Sequence, residues 1–328
     1  MQRITRLSWA RVRIWSDVLD VLNMSLPLFG LVLIGWLSAK VRRIGLDGLA
    51  WMQFFIMYVA LPALFFQILR KTPVEQLTNF KFVATATGTT ALVFVLGFVL
   101  VRLVFASDMR TATIQALAGA YSNIGYMGPA LTLAALGEAA VVPTALILCF
   151  DNALLFTLVP ILMALGSGNQ ESIVSVLTKK VLLHPFILAS AAGIAAAFIE
   201  LPVPTAIDQI LDNLKNSAAP AALFTMGVVI AQQTASRRTA DVAVLLVLKM
   251  VLHPLLIFVV MHWIGGFDPI WLQTAVLMAA LPPALNIFVL AQFYDTYVAR
   301  ASTIVLLGTV LASISVTLVL YLIAEGLV

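Results

Sequence analysis

The chain has 328 residues, 62% of them hydrophobic and 10% charged, against about 45–50% and ~25% in a typical soluble domain. This excludes a soluble protein and marks an all-α integral membrane protein, since the apolar runs approach the ~20 residues of a spanning helix rather than the ~10 of a barrel strand. A net charge of +4 suits anionic membrane lipid and gives no argument for nucleic acid, and a single cysteine, Cys149, with three histidines offers no Cys/His metal cluster and no intrachain disulfide.

Residues 1–17 set Arg3, Arg6, Arg11 and Arg13 among Ile4, Leu7, Trp9, Val12, Ile14 and Trp15. The pattern predicts a basic amphipathic arm lying on the membrane surface. It also resembles the n-region of a signal peptide, although no A-x-A-like cleavage site follows. Met24, which opens an apolar run, offers a second start. Span 1 is expected over about Val18–Leu37, before the basic turn Lys40–Arg43. Span 2 follows over Gly48–Leu69, with Pro62 in its second half. Span 3, about Phe80–Phe105, carries Thr85, Thr87, Thr89 and Thr90, which can bond back to helix carbonyls.

Span 4, about Ala112–Leu136, contains Ser122-Asn123-Ile124-Gly125-Tyr126-Met127-Gly128-Pro129-Ala130-Leu131. Two glycines and a proline interrupt the helix there. Span 5, Val141–Leu165, carries Asp151 and Asn152. A central cytoplasmic loop, 166–183, separates the first five-span repeat, 18–165, from the second, 184–328. Spans 6, 7 and 8 are expected near His184–Phe198, Leu211–Ala231 and Val242–Ile264, the last carrying Lys249 and His253. Span 9, Pro269–Phe293, is interrupted by Leu281-Pro282-Pro283-Ala284-Leu285-Asn286, and span 10 covers Ala299–Leu327.

This makes about ten transmembrane helices. The halves echo each other: Ala60-Leu61-Pro62-Ala63-Leu64-Phe65 in span 2 and Ala219-Pro220-Ala221-Ala222-Leu223-Phe224 in span 7, with the interruption falling in the fourth span of each. An odd number of spans per half reverses the second, which predicts inverted repeats with broken helices 4 and 9 crossing at mid-membrane. Basic residues concentrate in the odd-numbered loops, placing these in the cytoplasm and both termini outside.

Asn123-Ile124-Gly125-Tyr126-Met127-Gly128, Pro220-Ala221-Ala222-Leu223-Phe224-Thr225-Met226-Gly227, Lys249 with His253-Pro254, and Leu281–Asn286 resemble the auxin efflux carrier family over about Val18 to Leu327. The short central loop is similar to that of bacterial members, which include malonate and malate carriers. The resemblance implies a bacterial inner-membrane secondary transporter rather than an enzyme, and a homodimer without cofactors. It also implies a scaffold of spans 1, 2, 6 and 7 against a moving domain of spans 3–5 and 8–10. One departure is span 3, which offers threonines where plant members carry a charged pair.

A half-helix that starts inside the membrane exposes free amides and partial positive charge, which suits a carboxylate. Asn123, Gly125, Tyr126, Gly128, Pro129, Pro282, Pro283 and Asn286 are therefore the expected substrate-binding set, with Pro129 and Pro283 in the first turns of the second half-helices. The bland reading makes the asparagines partners of freed backbone groups and Tyr126 a packing residue. Asp151, Asn152 and Lys249 form the expected coupling or support set, because centred charges are costly and usually paired. Asp151 and Lys249 read as a structural ion pair, or else Asp151 takes up a coupling H+, with Na+ the other coupling ion in view, or Lys249 attracts the substrate directly. His253 and His184 read as polar anchors near helix ends. Asp208, Asp212 and Lys215 read as a solvated face, and the methionines as filler. The expected activity is transport of a small organic anion by an elevator-type mechanism. The rival is a ligand sensor on a transporter fold.

Overall fold

The computed structural model describes residues 26–27, 30–42, 46–125, 127–167, 185–232 and 240–328. The expected N-terminal arm 1–17, most of the central loop, Tyr126 and His184 lie outside the described residues. In chain order the helices are α1 (30–42), α2 (Leu49–Arg70), α3 (Phe80–Val104), α4 (Met109–Ala120), α5 (Gly128–Leu136), α6 (Val141–Ser167), α7 (Pro185–Phe198), α8 (Thr205–Gln232), α9 (Ala240–Ile264), α10 (Pro269–Ala280), α11 (Leu285–Phe293) and α12 (Val298–Ala324). Six of them, α2, α3, α6, α8, α9 and α12, are long and apolar enough to cross a membrane. Large apolar side chains such as Leu103 and Trp263 face outward, 79% and 85% exposed, which suits lipid and not water.

Two prolines that the sequence places inside spans are absorbed without a break. Pro62 follows a π-helical segment, Phe55–Ala60, and Pro254 follows another, Leu248–Leu252. The wider π turn makes room for the ring and shifts the register around the missing donor. α3 behaves as read: Thr85 and Thr89 donate to the carbonyls of Lys81 and Thr85, at 2.8 and 2.7 Å. α8 begins at Thr205, earlier than expected. Its first turns are held by α2 rather than left as a solvated face. Gln67, fully buried, donates Nε2 to Asp208 Oδ1 at 2.9 Å and Asp212 Oδ1 at 3.2 Å. Arg70 pairs with Asp208, and Lys71 reaches Asp212 at 3.2 Å.

The helices pack in two groups. α1, α2, α7 and α8 form one, through backbone approaches that glycine alone permits. A Cβ on Gly227 would stand 1.9 Å from the Val32 carbonyl oxygen, and one on Gly35 2.0 Å from that of Phe224. Such close crossings hold helices together where lipid gives no hydrophobic drive. The second group gathers α3, α4, α5, α6, α9, α10, α11 and α12. There Gly97 and Gly119 admit the Leu248 side chain, and Gly308 of α12 admits the ring of Pro283.

Gly227→Val should force α1 and α8 apart, at about 1–3 kcal/mol or more. A lowered melting temperature in detergent checks this. Gly88→Ala, where nothing lies within 4 Å, is expected to leave it unchanged.

Candidate functional site

α4 and α5 are one helical run interrupted over Tyr121–Met127, and α10 and α11 are another interrupted over Leu281–Ala284. The interruptions meet. Ser122 and Pro283 form an isolated antiparallel bridge. The Asn123 amide donates to the Pro282 carbonyl at 2.8 Å, and the Ala284 amide to the Tyr121 carbonyl at 3.0 Å. The backbone groups freed by the two breaks thus satisfy one another, which buried backbone requires.

Pro129 stands in the first turn of α5 as expected. Pro283 does not stand in that of α11: Ala284 is the N-cap, and Pro283 lies one residue outside. Its role is steric, against Gly308, while Pro282 serves as an acceptor through its carbonyl. Gly125 has open space around it; a Cβ on Gly128 would meet Met278 Sδ at 2.8 Å. The Met127 amide is taken by the Asn123 carbonyl at 3.1 Å, and the Ala284 amide by Tyr121. The helix-opening amides are therefore that of Gly128 on one side and those of Leu285 and Asn286 on the other.

The two asparagines differ. Asn123 is buried, its Nδ2 donating to Met226 Sδ on α8 at 3.3 Å and its Oδ1 unpartnered. Met226 is thus more than filler. Asn286 donates Nδ2 to the Tyr121 hydroxyl at 3.3 Å, and that hydroxyl donates to Asn152 Oδ1 at 2.5 Å. Tyr121, one residue before the stretch singled out in the sequence, so ties both broken helices to α6. No sequence signal marks it, because one tyrosine at the end of an apolar segment reads as packing.

The expected support residues gather behind the crossing. Asp151 Oδ2 accepts from Thr90 Oγ1 at 2.9 Å, and the same hydroxyl lies 3.4 Å from His253 Nε2. His253 Nδ1 lies 3.4 Å from Lys249 Nζ, and Lys249 donates to the Ala279 carbonyl at the end of α10. Asp151 and Lys249 form no direct ion pair among the described residues; His253 and Thr90 stand between them. His253 is no anchor at a helix end but a buried bridge, because the π segment carrying Lys249 runs straight into α9's second half. A small cavity connects this cluster to the crossing, bounded by Thr90, Asp151 and His253 and by Ser122, Met278 and Ala279.

A second polar centre was not foreseen. Asp241 is buried at the start of α9, where its neighbours in sequence suggest a solvated loop. Its Oδ2 accepts from Gln115 Nε2 at 3.0 Å, the Tyr297 hydroxyl at 2.5 Å and Arg300 NH1 at 3.0 Å. Burial, then the Asp241 hydrogen bond, pushes the Tyr297 phenol well above its usual range. This centre joins α4, α9 and α12.

A family model described as "Membrane transport protein" matches residues 20–320. The chain is 44% identical over 310 residues to a protein of Rhizobium meliloti (strain 1021) described as "Putative malonate transporter", an alignment covering 94% of this chain and 97% of that one.

Tyr121→Phe keeps the ring against Phe156 but strands buried atoms of Asn152 and Asn286. It should cost about 1–3 kcal/mol, seen as a lower melting temperature in detergent.

Proposed function

The chain belongs to the membrane transport protein family, auxin efflux carrier-like, and on that premise we propose that it moves a small carboxylate, malonate being the first candidate, between the two broken helices. The observation that carries this reading is the paired interruption at Asn123 and Pro282. It brings the opening amides of α5 and α11, with Asn123 and Asn286, to one crossing. Amide ends favour an anion, whereas the carbonyl ends of α4 and α10 beside them favour a cation. Lys249 neutralises the α10 end through Ala279, and Tyr121 engages Ala284 at the α4 end. Malonate comes into view through the printed description of the 44% identical relative.

The finer reading is ten helices in two inverted repeats, with α1, α2, α7 and α8 as a fixed scaffold. The group around the broken helices slides past it, in a homodimer embedded in the inner-membrane lipid. The packing of the helices in two groups supports this division. Substrate binding is assigned to Asn123, Gly125, Tyr126, Gly128 and Pro129 and to Pro282, Pro283 and Asn286. Among them Asn123 is the sharpest candidate, because its buried Nδ2 donor is spent only on the weak acceptor Met226 Sδ, which a carboxylate oxygen would outcompete.

Malonate should raise the melting temperature of the purified protein; at a hundredfold excess over Kd the stabilisation is about 2.7 kcal/mol. Asn123→Ala should weaken binding by roughly 1–3 kcal/mol, read by thermal shift or calorimetry. Flux of labelled malonate into proteoliposomes separates a transporter from a sensor. Binding without flux would favour the sensor, and no response to any mono- or dicarboxylate would overturn the anion site.

A further inference from the structure

We propose that Asp151, Thr90, His253 and Lys249 form a buried proton-loading relay that couples inward proton movement to the anion held at the crossing. The inference rests on the anion-site reading above.

The hydrogen bonds run in one consistent direction. Lys249 has donors and no acceptor, so it donates to His253 Nδ1. That leaves the ring proton on Nε2, facing Thr90 Oγ1, and the hydroxyl proton goes to Asp151 Oδ2. Asp151 Oδ1 then has no partner at full hydrogen-bond distance, and the hydroxyl turned toward the same carboxyl, Thr87 Oγ1 one turn before Thr90, makes no other bond. A carboxylate oxygen that is buried, unpartnered and beside a cavity is a place to receive a proton.

The cavity holds room for about one water molecule, too little for a hydrated metal ion. A cation also already stands at the end of α10. The carbonyl ends of broken helices commonly coordinate Na+ in transporters, and here the Lys249 ammonium occupies that position on Ala279. With the carbonyl end of α10 already taken by the Lys249 ammonium, the cluster is arranged to take up a proton rather than to hold a second cation. In the loading step, water in the cavity delivers a proton to Asp151 Oδ1. One O–H bond breaks in hydronium and one forms on the carboxyl. The cluster changes from a balanced Lys+/Asp− set to net +1, opposite in sign to the anion. Unloading reverses the step.

The link to substrate is short. Ala279, whose carbonyl receives Lys249, also faces Ser122 Oγ at 3.4 Å, and Ser122 precedes Asn123. Among the described residues, other titratable groups on the packed helices are turned elsewhere. Cys149 of α6 faces Ser190, and Asp241 and Arg300 engage each other with Tyr297. His262 of α9 is stacked on Phe258.

The test uses full-length protein in proteoliposomes with labelled malonate and an internal pH dye. Exchange of internal against external malonate, without any ion gradient, reports anion movement alone. Accumulation driven by an acidic exterior reports coupling. Wild type should accumulate malonate under the proton gradient and carry protons inward with it. In Asp151→Asn and His253→Gln the ratio of gradient-driven accumulation to exchange should fall on the order of tenfold. Thr90→Val, which cuts the relay and keeps the shape, should do the same if either variant fails to fold. Wild-type exchange without malonate-dependent proton influx, or accumulation driven by sodium instead, overturns the relay. Absence of wild-type exchange would instead strike the malonate reading.

Discussion

Two backbone hydrogen bonds, from Asn123 to Pro282 and from Ala284 to Tyr121, make the rest of the molecule possible. In hydrocarbon an unpaired amide or carbonyl costs several kcal/mol, so neither interruption could persist alone. Each supplies the partner that the other lacks. Their antiparallel register then fixes everything around the crossing: which amides open α5 and α11, where Pro283 meets Gly308, and how close Asn123 comes to α8. The site is a by-product of solving a hydrogen-bonding problem twice in one place.

The interruptions were legible because glycine and proline act locally and through few atoms. The threonine back-bonds of α3 and the limits of the long apolar helices other than α8 were legible for similar reasons. What stayed hidden depends on partners distant in sequence. Asp208 and Asp212 look like a solvated face until Gln67, Arg70 and Lys71 are placed against them. Asp241 looks like a loop acid until Gln115, Tyr297 and Arg300 converge on it. Tyr121 and His253 likewise gain meaning only from residues on other helices. The π segments were hidden for another reason: a proline within a span is compatible with a break, a kink or a widened turn, and packing decides among them.

The interrupted helices are braced by charge as well as by backbone. Lys249 sits on the carbonyl end of α10, and Asp241 gathers α4, α9 and α12. These contacts stay within the second helix group and brace it internally.

The boundary between the groups is of another kind. Among the described residues, the side-chain hydrogen bonds that cross it include Asn123 to Met226 and Cys149 to Ser190, and both of these involve sulfur, at 3.3 Å each. Sulfur is large, polarizable and a poor hydrogen-bond partner, so its attraction changes gently with distance and angle. For the sliding proposed above, contacts of this kind would act as lubricant at the seam and not as a directional latch.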